Sequence, residues 1–299
     1  MKKLLLFLML YFGFTSISYS DEAWDAYIAN DRSTCKDNGM VAYEDGDYQT
    51  AFKKYMICAK QGDEWAQYMI GILYKNGQGV NQDNKKAISW ITQSAEQGYY
   101  FAQHKLSEFY ELGIGVLKNQ KLSSSWNLKA AKQGHDISQY NLAQNYREGK
   151  GVMRNDKEAV FWYKKAAEQD FAIAQTTLGA MYARGDGVLK NIKQAIYWYE
   201  KAAKQNDALA YVHLGTMHAK GDGVLINYKK AFEMYEKAAR IDDNSFGSAY
   251  GQYYLGVMYI EGVGTNKSFK NAAYWVNKAY ENGNSEAETI WNKYKLWNY

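Results

Sequence analysis

Proline is absent from all 299 residues, so no position forbids a helix from continuing in the way a pyrrolidine ring does. Histidine is scarce. His104, His135, His213 and His218 are the four copies, none forms an i, i+4 pair or a His-Glu-x-x-His run, and His213 and His218 fall about 140° apart around a helix, which argues against a shared metal. No apolar run outside the first twenty residues is long enough to cross a bilayer. Charge of one sign is lacking too. Setting aside Lys2 and Lys3, 34 basic residues face 32 acidic ones, and they alternate along helix faces with no aromatic-interleaved basic patch, which excludes a nucleic-acid footprint. Ser33-Thr34-Cys35-Lys36 fits an S-x-x-K pattern, but the S-D-N and K-T-G elements that accompany it in penicillin-recognising enzymes are missing. No catalytic, metal or cofactor constellation is therefore assigned.

The amino terminus, MKKLLLFLMLYFGFTSISYS, carries two lysines, an apolar core from Leu4 to Phe14, and Ser18 and Ser20 before a cut. It reads as a signal peptide over residues 1–20, with Asp21 as the mature start and a periplasmic or secreted destination. The apolar core is too short for a stable membrane anchor.

What fills the rest is repetition. Gly71, Ser107, Ala143, Gly179, Gly215 and Gly256 anchor near-copies of one unit, spaced by 36 residues four times and then by 41. A fixed period in this range marks a solenoid, so one elongated all-α domain is expected. In the best-formed copy, Ala174, Leu178, Met181 and Tyr182 make one apolar helical stripe that stops at Gly185 and Gly187. Pairs equivalent to these two glycines recur at 77/79, 113/115, 149/151, 221/223 and 262/264, each suited to a positive-φ stop and tight turn. Four residues on stands Asp83, Asn119, Asn155, Asn191, Asn227 or Ser268, predicted to cap the second helix. That helix sets a small residue three places before a large one, as in Ala195 and Trp198.

Residues 21–32, with Trp24, Tyr27 and Ile28 at helical spacing, read as a capping segment. A truncated first unit runs from Ser33 to Gly62, full units follow to Asp242, the five extra residues before Gly251 are expected to form a loop, and a last unit ends near residue 283. Residues 284–299 read as a closing helix bearing Trp291, Tyr294 and Trp297.

The pattern A-x-x-x-L-G-x-x-Y-x-x-G-x-G-V followed by A-x-x-W-Y-x-K-A-A over residues 33–283 resembles the Sel-one-like repeat, a relative of the tetratricopeptide repeat. The resemblance implies a right-handed α-solenoid of helix–turn–helix repeats that serves as an adaptor for a protein or peptide. It also carries an alternative, a secreted β-lactamase-like hydrolase, because a cysteine-rich branch of the family is associated with that activity; only two cysteines stand here.

Counting from the anchor at 100° per residue, positions −6, −3, +1 and +4 lie nearly opposite the core stripe. By resemblance to tetratricopeptide repeats these offsets line a concave groove, which makes Trp65, Tyr68, Phe101, His104, Tyr140, Arg147 and Tyr253 the binding candidates, with Tyr68, Tyr140 and Tyr253 expected to be exposed. The same −6 residues pack equally well under neighbouring turns on this reading. Cys35 and Cys58 fall on the two antiparallel helices of the first unit, and in an exported chain they are expected to pair as a disulfide.

Overall fold

A computed structural model describes residues 36–241 and 245–299. The signal and capping segments, Ser33, Cys35 and residues 242–244 lie outside the described residues. Among those described, the regular structure is entirely helical. Backbone contacts divide the chain into two compact units, one ending at Leu117 and one spanning Lys118 to Tyr299.

The first unit contains a helical stretch over 36–44 (α1), then α2 (Tyr48–Lys60), α3 (Glu64–Asn76), α4 (Asn84–Glu96) and α5 (Tyr100–Leu112). From α2 onward consecutive helices pack against each other. Tyr55, Cys58, Ile70 and Leu73 form a core sealed at its edge by Trp65 and Trp90.

The second unit continues the pattern with α6 (Gln120–Lys132), α7 (Asp136–Glu148), α8 (Asp156–Glu168), α9 (Ala172–Arg184), α10 (Ile192–Ala203), α11 (Ala208–Lys220), α12 (Tyr228–Arg240), α13 (Phe246–Glu261), α14 (Phe269–Glu281) and α15 (Ser285–Tyr294). Here too each helix packs on the next in sequence, the stacking of an α-solenoid of helix–turn–helix repeats. Every repeat thus consists of a first, or A, helix and a second, or B, helix.

Both turn signals act as their chemistry dictates. Gly185 stops α9 in the left-handed region at φ 85° and donates its N–H to the Met181 carbonyl. The Asn191 side chain accepts from the Gln194 N–H to start α10. All six predicted B-helix caps accept such a bond, each stabilising its helix by ~1 kcal/mol. The stripe on α9 is buried as expected, with Ala174, Leu178 and Met181 fully covered. At the anchor, a Cβ on Gly179 would come within 2.8 Å of the Tyr199 ring of the partner helix. That close pass is why the position holds only small residues.

Two segments differ from expectation. Of the described residues before Gly251, those from Phe246 onward are helix, because Ser245 caps α13 and they extend it by an extra turn over α11. A Cβ at Gly247 would run into the Leu209 backbone N, so glycine is what permits that extension. At the carboxyl end α15 stops at Tyr294, where Lys295 turns left-handed at φ 50°. Leu296–Asn298 then form a 3-10 turn that buries Leu296 and leaves Trp297 outside.

Candidate functional site

The candidate residues fall into separate groups on the A helices. In the first unit, Tyr68 on α3 meets the Tyr99 ring edge-on at 5.5 Å, and Tyr99 also touches Phe101 at 5.5 Å. His104 on α5 lies 3.6 Å from the Glu108 carboxylate, which also pairs with Lys105. Trp65 stands apart from this group. It packs edge-on against Tyr55 with the Lys36 ammonium over its face.

In the second unit, Tyr140 on α7 makes T-shaped contacts with Tyr163 and Phe171, both at 5.4 Å, and its hydroxyl accepts from Gln144 Nε2 at 2.9 Å. The Arg147 guanidinium lies near enough to oppose the rise in this phenol's pKa, although burial dominates and raises it. Arg147 also lies 3.9 Å from Glu148. Tyr253 on α13 contacts Tyr254 at 5.3 Å, and burial, with Glu286 close by, pushes its hydroxyl up to about 12. Burial likewise raises Tyr68. These phenols are therefore neutral donors and rigid apolar faces at physiological pH, equipment for gripping a partner rather than for acid–base chemistry. Among the described residues, no group of three or more His, Cys, Asp or Glu side chains is arranged to hold a metal ion, and no helix is long and apolar enough to cross a membrane.

Tyr68, Tyr140 and Tyr253 are half-buried rather than exposed as expected. The reason is lateral packing. A single helix leaves its −3 position open, but in the array the start of the next repeat covers it, and Thr176 and Val212 at the same position are buried outright. The −6 row keeps its exposure better, with Phe101 at 40%, Ile137 at 40% and Ile173 at 52%, while Trp65, Leu209 and Tyr250 are half-buried.

Two features went unseen in the sequence. Tyr99 and Phe171 occupy A-helix cap positions without making a side-chain cap bond, and turn their rings on Tyr68 and Tyr140 of the preceding repeat. The signal was present as aromatic pairs 31 residues apart in alternate repeats.

The second feature is a buried glutamine clasp four residues before the anchor. Gln139 Nε2 donates to the Ala131 carbonyl of α6 while its Oε1 accepts from Gln169 at the end of α8 at 2.8 Å. Gln175 repeats this with Ala167 and Gln205, Gln67 with Ala59 and Gln97, and Gln252 with Ala239 and Asn282. Each clasp fastens three successive helices. A matched pair of polar residues 30 apart, replaced together by Tyr211 and Ile241 in one repeat, was the available sign.

Comparison with known proteins agrees with this geometry. The Sel1 repeat matches six times in tandem, at residues 66–99, 101–135, 136–171, 172–207, 208–243 and 249–284. The crystal structure of c5321, a protective antigen present in uropathogenic Escherichia coli strains and displaying an SLR fold, superposes with a TM-score of 0.79 at 29% identity. The match covers 91% of this chain but 58% of that one. A Sel1 repeat protein from Oxalobacter formigenes gives a TM-score of 0.71 at 30% identity, over 83% of this chain and 96% of its own. No curated protein sequence matches. The tandem matches share their period with the glycine turns, helix caps and clasps described above, and by them this chain belongs to the Sel1 repeat family.

Proposed function

We propose that this Sel1 repeat scaffold is an exported adaptor that holds a peptide or protein segment across the amino-terminal ends of its A helices. The observation that carries the reading is the exposed apolar row at one repeat position, Ile137 and Ile173 in the second unit, with Phe101 at the same position in the first. On α7 and α9 the other exposed residue is charged, Glu148 and Arg184. Exposed apolar residues cost solvation in the free protein, and burying a large aliphatic side chain against a partner regains ~1.5–3 kcal/mol. Further along α7, Tyr140 adds a ring and a neutral hydroxyl, and Arg147 in the last turn adds a cation, a set that favours a partner segment running along the helix with an acidic group.

Export is inferred from the lysine-plus-apolar amino terminus. A disulfide between Cys35 and the fully buried Cys58 belongs to the same reading, and closing that loop would stabilise the fold by ~3 kcal/mol. The E. coli relative is described as a protective antigen, which is in keeping with a protein presented outside the cytoplasm.

The test is photocrosslinking in the source organism from a reactive residue placed at position 173, followed by binding measurements with the captured partner. Ile137→Asp and Ile173→Asp are expected to weaken binding by ~1–3 kcal/mol each without moving the melting temperature. If both variants bind normally, the A-helix face is not the site.

A further inference from the structure

Met153, Leu189 and Leu225 are 89–90% exposed, whereas no other large apolar side chain of the described second unit exceeds the 66% of Phe246. All three occupy one repeat position, the residue after Gly-x-Gly-Val in the turn between A and B helices; Leu117 holds it in the first unit, also at 90%. In these three turns the valine is half-buried and the following residue is thrown outward, whereas the turn at 262–266 has Thr265 and Asn266 at these positions.

These turns lie along one edge. A Cβ on Gly151 would strike the Gln120 carbonyl at the start of α6, one on Gly187 the Asp156 carbonyl at the start of α8, and one on Gly223 the Ile192 side chain at the start of α10. Every turn is thereby seated on the first residue of the preceding B helix, so the three apolar tips follow one another along the same border.

The charge of that border differs from the rest of the chain. Segments 146–158, 182–194 and 218–230 hold ten Lys and Arg against five Asp and Glu, where the whole chain has 36 against 32. Three of the acids are paired within the border, Glu148 with Lys150 at 2.6 Å, Asp156 with Arg154 at 3.0 Å and Asp186 with Arg184 at 2.6 Å, which leaves the surplus of five cations unneutralised. A-helix carboxyl ends and B-helix amino ends meet at this edge, so their dipoles oppose and the side chains set the sign.

From the juxtaposition of three fully exposed aliphatic tips with a two-to-one cationic border, we infer that this edge of the second unit docks on an anionic lipid bilayer surface. A protein partner is the less suitable occupant. Protein hot spots gather aromatic anchors in pockets, and these tips are single, non-aromatic, one on each of three successive turns and almost wholly exposed. Aliphatic groups that enter the headgroup zone, with Lys and Arg stems snorkelling beside them to lipid phosphates, match the arrangement.

The experiment is hydrogen–deuterium exchange on the full chain with vesicles of phosphatidylglycerol and phosphatidylcholine, against phosphatidylcholine alone. Amides of residues 151–155, 187–191 and 223–227 are expected to slow by about tenfold with the anionic vesicles only, and to recover in high salt. The triple variant Met153→Ser, Leu189→Ser, Leu225→Ser should abolish this protection with an unchanged melting temperature, since the replaced groups touch almost nothing in the fold. Reading protection turn by turn separates this edge from vesicle binding by the apolar amino terminus. Absence of protection in these turns, protection that the triple variant retains, or a vesicle-independent change of oligomeric state in that variant would each overturn the proposal, the last by assigning the edge to a second copy of the chain.

Discussion

The joints at Gln175 and at Tyr211 occupy the same place in successive repeats and are fastened by different forces. At the first, Gln175 bonds to Ala167 behind it and to Gln205 ahead. At the second, Tyr211 and Ile241 stand where the two glutamines would be, and both pack into the apolar cluster around Tyr235 and Ala238. Neither glutamine is kept alone. The inner glutamine alone would bury an amide with half its partners missing, at a cost of ~1–3 kcal/mol, while the outer one is exposed; a change of both members avoids that penalty. The coupled pair, rather than the single polar residue, is thus the unit the repeat tolerates.

The largest effect is expected from breaking one clasp. Gln205→Leu leaves the Oε1 of the fully buried Gln175 without its donor and should lower stability by ~1–3 kcal/mol in urea unfolding. Adding Gln175→Leu should recover ~1 kcal/mol, a positive coupling in the double-mutant cycle. Strictly additive losses would mean that the two glutamines do not act together.

Acid should single out the Tyr211 repeat. His213 stacks on Tyr199 at 4.7 Å, and burial, with Arg184 adding to it, lowers its pKa from 6.5 to about 4. The unfolded chain then binds a proton that the folded chain refuses. Stability is full above pH 6.5 and is lost as pH falls toward 4, by on the order of 2 kcal/mol. His213→Phe should flatten that slope, measured as urea midpoints between about pH 7 and 4.

A smaller change tests the apolar joint itself. Tyr211→Gln alone should cost ~1–2 kcal/mol, and Tyr211→Gln with Ile241→Gln less than that, because the new pair can bond to itself and to the Ala203 carbonyl. Lys201→Ala, over the exposed ring of Tyr197, should stay within ~0.5 kcal/mol and serves as the reference for both joints.

Features set by nearby residues were legible in the sequence. The glycine stops and Asx or Ser caps depend on residues within one turn of each other, and all six of each appear where the spacing put them. Contacts made across thirty residues were not. Gln139 reads as an ordinary polar helix residue until Ala131 and Gln169 are seen around it, and Tyr140 reads as exposed until Phe171 covers it. Helical periodicity describes one cylinder and says nothing of what the neighbouring cylinder covers.

The seating of each turn on the preceding B helix gives the array a direction in time. The start of α8 is covered by the turn at Gly187, and that of α10 by the turn at Gly223, both of which are made later in synthesis. A chain growing from its amino end thus completes each repeat only when the following one arrives, so folding trails elongation by one repeat. At α14 the cover comes from α15 and the buried Leu296 instead of a glycine turn, and these too are made after the helix they close.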